Sequence, residues 1–297
     1  MLPTEIMLFD DHSSDATFEL ASSMKERART LGIDFVVQQN PKNLGYIRNF
    51  EQAASACSGE VIFLCDQDDV WMPDKVATLL GYFEADQSLL MAYSDARLVD
   101  ANGQPMHCSQ SEALGVSHSE LALLKSGRGF DALLVRNLVT GATAAFRRRL
   151  LQLALPFSSL WIHDEWLAVI AAAGDAILFC PRQLIDYRQH DGNQIGLERR
   201  RLRDKIGSMF RSRGDFYRRQ VRRTENLKER LDARRFAVSD KNMEHLVDRL
   251  QHIRYRAELP PSRFARLSPA LREWQSGRYH RYSNGLRALM RDLLESV

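Results

Sequence analysis

The apolar and polar positions alternate between two periods along the first 190 residues. Ile6–Phe9 is a short apolar run that predicts a strand, ending in Asp10-Asp11-His12-Ser13-Ser14-Asp15. A helix is expected next, with Ser13 or Ser14 as its cap, Phe18, Leu20 and Leu31 among its apolar residues, and Gly32 ending it. Ile33–Val37 reads as the second strand, and residues 46–57 as a helix after the loop Asn40-Pro41-Lys42-Asn43-Leu44-Gly45. Val61–Cys65 is an uninterrupted apolar run, the pattern of a central strand buried on both faces. Pro73 suits the first turn of a helix over residues 74–84, and residues 89–93 predict a further strand. Alternation of this kind implies a mostly parallel sheet with helices on both faces, an α/β fold.

From Asp95 to Ser126 the pattern weakens, with Asn102-Gly103 as a turn. Residues 141–146 then read as a strand, 147–154 and 161–173 as helices, and 176–179 and 183–187 as two strands. After Gly196 the chain becomes dense in arginine with helical spacing and few strong apolar stripes.

Charge sharpens this division. Residues 1–195 hold 15 basic against 25 acidic residues, and residues 196–297 hold 26 against 13. Two regions with different partners are expected, an acidic 1–195 and a basic, mainly helical 196–297. With 297 residues, 44% hydrophobic and 27% charged, the chain can bury a core without disulfides. No run approaches the roughly 20 apolar residues of a spanning helix. The first residues lack the basic head and apolar middle of a signal peptide. Cys57, Cys65, Cys108 and Cys180 form no Cys-x-x-Cys pair, which predicts reduced, buried thiols in a cytoplasmic protein.

Acidic clusters directly after strands are better site candidates than those on helix surfaces, because open α/β sheets bind ligands at the carboxyl ends of their strands. Asp66-x-Asp68-Asp69 follows Val61–Cys65, and two carboxylates from alternate positions of a sharp turn can face one hard cation. A bare Asp-x-Asp equally describes a solvated turn that caps a helix; the buried run before it and Trp71 after it favour the cation. Asp10 and Asp11 can accept from the N–H of a pyrimidine base, or can form an Asx turn with a helix cap. His163-Asp164-Glu165 opens a helix, where acids ordinarily complement the helix dipole and a carboxylate facing a cleft can act as a general base. His190 follows a strand in Tyr187-Arg188-Gln189-His190.

Taken in order, these stretches resemble glycosyltransferase family 2, the inverting GT-A enzymes, and most closely its bacterial rhamnosyltransferase-like branch. The matching segments are Phe9–Asp15, Asn43-Leu44-Gly45 with Asn49-Phe50, Phe63–Trp71, Thr140-Gly141, His163–Trp166, Tyr187–His190 and Gly277–Gly285. The resemblance implies that Asp66 and Asp68 hold the donor's ribose and a divalent metal, Mg²⁺ or Mn²⁺. It implies that Asp10, Asp11 and Arg48 contact the nucleotide base, that Asp164 is the catalytic base, and that His190 reaches the metal or diphosphate. The donor would be a dTDP- or UDP-sugar, L-rhamnose being that branch's sugar, and the acceptor a lipid-linked surface glycan at the inner face of the membrane. Glu165 departs from the second aromatic residue that many relatives carry there. The resemblance also implies a strand and helix ahead of Ile6–Phe9, and without them the neighbouring strands would expose backbone hydrogen-bonding groups.

Three alternatives accompany this reading. The Asp66–Val70 turn also resembles the first motif of haloacid dehalogenase-like phosphatases, with Asp66 as nucleophile. A truncated, non-catalytic relative serving as a scaffold would carry the same motifs. The arginine runs at 198–203 and 217–223, with Phe210, Phe216, Tyr217 and Leu227, predict amphipathic helices on an anionic membrane or, equally, a face paired with the acidic domain. No recognised nucleic-acid motif accompanies them.

Overall fold

The computed structural model describes residues 1–190, 213–233 and 238–294. The α/β class holds. Strand β1 (Glu5–Asp10) leads through α1 (Thr17–Ser23) and α2 (Lys25–Thr30) to β2 (Asp34–Gln39), its parallel partner. Then come α3 (Tyr46–Ala56), β3 (Val61–Phe63), β4 (Val70–Trp71), α4 (Lys75–Ala85) and the long β5 (Met91–Val99). Strand β6 (Pro105–Ser109) and short helices α5 (Gln110–Ala113), α6 (His118–Lys125) and α7 (Gly129–Leu133) fill the segment whose periodicity is weak. A 3-10 turn at Gly141–Thr143 enters β7 (Ala144–Arg147), followed by α8 (Arg149–Ala154), α9 (His163–Ala173) and β8 (Ile177–Arg188). The remainder is helical: α10 (Arg213–Ala233), α11 (Asp240–Ala257), α12 (Arg263–Gln275), α13 (Arg278–Tyr282) and α14 (Leu286–Leu294). The expected boundary at residue 195 lies outside the described residues.

The strands form a two-stranded sheet, β1-β2, and a six-stranded one ordered β3-β7-β5-β8-β4, with β6 on β5. Strands β5 and β8 run parallel, while β3-β7, β5-β7, β5-β6 and β4-β8 are antiparallel. This corrects one expectation: the apolar run at 61–65 is not a central strand. Strand β3 pairs only with β7 among the described strands, and of its three residues only Ile62 is buried. The centre is β5, buried at eight of nine positions although it contains Ser94, Asp95 and Arg97. Likewise the two strands expected at 176–187 are one. Pro181 cannot donate to the ladder, so the register slips between Ser94↔Cys180 and Asp95↔Gln183 while β8 continues to Arg188.

Helix α9 is buried along all eleven residues, as a helix apolar on every side must be. Trp166 lies at its centre, its indole N–H donating to the Ala154 carbonyl at 2.9 Å. The cap expected of Ser13 or Ser14 is not made. Ser13 bonds the Asp10 carboxylate instead, and Asp15 accepts from the Thr17 N–H at 3.0 Å. All four cysteines are free, but only Cys180 is buried, against the expectation for all four.

The basic region turns many of its charges inward. Arg256 and Asp292 form a buried pair at 2.6 Å, joined by Tyr217, Tyr279 and Ser283, and Arg266 donates to the carbonyls of Pro260, Pro261 and Asp292. His252, also buried, sits between Glu273 and Ser283, and burial holds its ring neutral with a pKa near 3. Tyr217 and Leu227, expected on a membrane-facing side, are buried. Arg223 pairs with Glu165 at 2.6 Å, and Arg230 donates to carbonyls at residues 153–156, so part of the 217–223 run does pack on the acidic region. The 198–203 run and Phe210 lie outside the described residues.

Removing one member of a buried pair strands the other charge. Asp292→Ala is expected to cost about 3–5 kcal/mol in urea denaturation of the C-terminal helices, followed by circular dichroism.

Candidate active site

Topology brings together acids far apart in sequence. After β3 the chain turns through Asp66–Asp69 into β4, whose Val70 and Trp71 pair with Asp186 and Ile185 of β8. That pairing fixes the acidic turn against the end of β8. The Arg188 N–H donates to Asp69 Oδ1 and its Nε to the Asp68 carbonyl, both at 2.9 Å. Two residues on, His190 Nε2 lies 2.8 Å from Asp68 Oδ2.

The short turn at 140–143 closes the site from the other side. Asp164 Oδ2 accepts from the Gly141 N–H at 2.7 Å, and its Oδ1 from the Glu165 N–H at 2.6 Å. A side chain at Gly141 would press on this arrangement: a Cβ there would lie 3.1 Å from His163 Nε2 and 3.5 Å from Asp164 Oδ2. One residue along, the Ala142 carbonyl accepts from the buried Lys75 ammonium. Lys75 also stacks 3.9 Å over the Trp71 ring.

Burial sets the electrostatics, and carboxylate crowding adds to it. Burial, reinforced by the charges of Asp68 and Asp164, pushes Asp66 up to about 6. Burial pushes Asp69 up to about 7, against the stabilising Arg188 N–H, and its Oδ2 is buried without a partner. Burial also pushes Asp164 up to about 6, although two backbone N–H groups favour its ionised form. Lys75 is drawn down to about 7 by burial, with Cys65, Asp69 and Asp66 opposing the shift. Tyr187, at the end of β8, is raised by burial and then by the negative charges of Asp66, Asp69, Asp68 and Asp164.

Among the described residues no three His, Cys, Asp or Glu side chains form a cluster that could hold a metal alone. The donor set nevertheless fits a hard cation. Asp68 and His190 converge, Asp69 presents an unpartnered buried oxygen, and a cation of this type takes one or two carboxylates with water and phosphate oxygens completing its shell.

The other expected residues lie apart from this cluster. Asp10 is buried, and hydrogen bonds from Ser13 and Gln39 outweigh burial to lower its pKa. Asp11 accepts from the Leu44 N–H at 2.7 Å, the Gly45 N–H at 2.8 Å and Asn40 at 3.0 Å, which pins the loop entering α3. Gly45 takes φ +79° there, a conformation that glycine adopts without strain. Arg48 is ion-paired with Glu51 at 2.7 Å. Lys75, Tyr187 and Arg188 escaped the sequence reading as site residues. His163 was noted only for its place beside Asp164. It is buried, both ring nitrogens lack partners, its ring stacks on Phe50 at 4.0 Å, and burial lowers its pKa to about 3.

Residues 1–152 match the sequence profile of glycosyl transferase family 2. The chain belongs to glycosyl transferase family 2. This membership displaces the phosphatase reading of the Asp66 turn. Uncharacterized proteins of Mycobacterium bovis and Mycobacterium tuberculosis are each 28% identical over 191 residues, 63% of this family 2 chain and 51% of theirs. The chain thus spans about half the length of the curated relatives it matches. Two structures of S. aureus TarS share its fold. One, of residues 1–349, has a TM-score of 0.50 at 15% identity over 99% of this chain and 73% of that one. The other has 0.51 at 14% over 93% and 44%. The mannosyltransferase PcManGT from Pyrobaculum calidifontis, in complex with GDP-Man and Mn²⁺, gives 0.48 at 16% over 96% and 69%.

The packing around the 140–143 turn is testable by two glycine substitutions of opposite sign. Gly141→Ala crowds His163 and is expected to destabilise the fold by about 1–3 kcal/mol. Gly81→Ala, with nothing within 4 Å of the added carbon on α4, is expected to stabilise it by about 0.4–1 kcal/mol. Denaturant midpoints of the two variants measure both.

Proposed function

We propose that this chain transfers a sugar from a nucleoside diphosphate donor to a hydroxyl of a glycan acceptor, inverting the anomeric carbon in one displacement. The observation that carries this reading is Asp164: a buried carboxylate, held by two backbone N–H groups, beside a second set of carboxylates suited to a diphosphate-bound cation.

The two N–H groups fix the plane of the Asp164 carboxylate, so one oxygen lone pair is presented to the acceptor hydroxyl in a constant direction. As that hydroxyl attacks, Asp164 takes its proton, a contribution of roughly 10²–10⁴-fold. Burial strengthens Asp164 as a base while leaving it mostly ionised at neutral pH. Asp68 and His190 would hold Mg²⁺ or Mn²⁺, and Asp66 the donor ribose. When bound, such an ion neutralises the charge that develops on the departing diphosphate. Asp10, Asp11 and Arg48 are assigned to the base end of the nucleotide; Asp11 keeps about one of its four lone-pair sites for a base N–H. A dTDP- or UDP-sugar fits an acceptor-only carboxylate at that end, and L-rhamnose is the sugar of the branch the motifs resemble. The acceptor in this reading is a lipid-linked surface glycan, met at the inner face of the membrane.

Release of nucleoside diphosphate from UDP- or dTDP-sugars, with water as acceptor, provides the assay. The ionised fraction of Asp164 grows as pH rises through about 6, so the rate is expected to fall about tenfold per unit below that value. Asp164→Asn is expected to lower the rate about 10²–10⁴-fold with nucleotide affinity unchanged. An unaltered rate removes the base assignment. In calorimetry, Mn²⁺ or Mg²⁺ is expected to tighten UDP or dTDP binding to the wild type and not to Asp68→Asn. Identical affinity with and without metal in the wild type refutes the cation's role.

A further inference from the structure

Helices α12 and α14 each bury one side and expose an apolar stripe on another. On α12 the inward positions are Arg266, Ala270 and Glu273, while Phe264, Leu267 and Leu271, at i, i+3 and i+7, face solvent. On α14 the inward positions are Ala288, Leu289 and Asp292, while Leu286, Met290 and Leu294, at i, i+4 and i+8, face solvent. Phe264 is 87% exposed. The two helices share one small core, in which Ala270, Ala288 and Leu289 pack with Tyr279, so both stripes belong to one helical unit. Soluble surfaces carry scattered apolar residues, but exposed stripes at helical spacing on two adjoining helices mark a contact surface.

The charges around the stripes select that partner. Arg263 and Arg272 on α12, and Arg287 and Arg291 on α14, are all exposed. Both acids of these helices point inward: Glu273 to His252 and Arg278, Asp292 to Arg256. The exposed sides of these two helices therefore combine leucine, methionine and phenylalanine with guanidinium groups, and neither helix exposes a described carboxylate of its own. A second copy of the chain docked through this face would set arginine against arginine, a like-charge contact that disfavours self-association. An anionic lipid surface satisfies both components. Apolar side chains enter the acyl boundary while guanidinium groups bond lipid phosphates.

We propose that the exposed face of α12 and α14 docks this chain on an anionic membrane. This deepens the reading in which the acceptor is lipid-linked, but it stands on a separate observation and is measured separately. It also relocates the membrane contact from the 217–223 region, where Tyr217 and Leu227 are interior, to the last two long helices.

Flotation of the full-length protein with vesicles tests it, using phosphatidylcholine alone and an equal mixture with phosphatidylglycerol. Binding is expected only to the mixed vesicles. The combined variant Phe264→Ser, Leu271→Gln, Leu286→Gln and Met290→Gln is expected to lower partitioning at least about tenfold. Replacing Arg263, Arg272, Arg287 and Arg291 by Gln is expected to remove the preference for anionic lipid. Because these side chains are exposed and distant in the chain from the acidic site, thermal midpoint and nucleotide-sugar hydrolysis are expected to match wild type in both variants. Loss of hydrolysis in the wild type would count against the catalytic reading and leave the docking result standing. Docking is overturned if wild type floats with neither vesicle, or if the apolar variant floats as well as wild type. A concentration-dependent dimer in sedimentation, abolished by the apolar variant without any vesicle binding, likewise overturns it in favour of self-association.

Discussion

Burial of carboxylates, with their mutual repulsion added to it, governs the centre of this molecule. Asp66, Asp68 and Asp69 leave one turn, and Asp164 approaches from α9. Burial favours the neutral form of Asp66, Asp69 and Asp164, and nearby carboxylate charges add to the effect on Asp66 and Asp69. The chain offsets this with backbone dipoles and one buried lysine: the Gly141 and Glu165 N–H groups on Asp164, the Arg188 N–H on Asp69, and the charge of Lys75 acting on Asp66 and Asp69. Such compensation is partial, since Asp66 and Asp69 remain raised to about 6 and 7. That surplus negative character and the unpartnered Asp69 oxygen are what the proposed divalent cation rests on.

The turn at 140–143 explains why these groups stay in place. Its backbone serves two masters: the Gly141 N–H fixes the carboxylate on α9, and the Ala142 carbonyl fixes the ammonium on α4. Helix α9 cannot shift to relax the contact, because all of its residues are buried and Trp166 is anchored to Ala154. The acid and the base-like lysine are thus positioned from one short segment whose own sequence, Gly-Ala-Thr, carries no ionisable group.

Much of the site was legible because strand ends are marked by an apolar run stopping at acids. Asp66, Asp68 and His190 are read from strand ends and Asp164 from a helix start, and the structure brings all four to one region. What the pattern could not supply was order within the sheet. An uninterrupted apolar run looks like a buried centre, yet β3 stands at an edge, while the true centre, β5, hides Ser94, Asp95 and Arg97 in its sequence. Partners meet two of these groups: Asp95 accepts from the Ala96 and Ser111 N–H groups, and Arg97 forks onto Asp186. Lys75 was invisible for the same reason. A lysine after Pro-Asp reads as solvated until the fold places a carbonyl and an indole ring around it.

The basic region shows how net charge misleads when pairing is unknown. Its excess of arginine left a membrane face and internal pairing equally open, and Arg223, Arg230, Arg256, Arg266 and Arg278 are committed to carboxylates or carbonyls. One of these commitments lies beside Asp164: Arg223 holds Glu165, its neighbour in the chain, and stacks 4.0 Å from the Trp161 ring. Glu165, unusual against the motif it resembles, is thereby the hinge-pin between the acidic region and α10. A carboxylate at this position requires a buried cation opposite, and α10 supplies it. The carboxylate of Glu165 and the arginine on α10 therefore answer each other, and α10 is tied to the helix that carries Asp164.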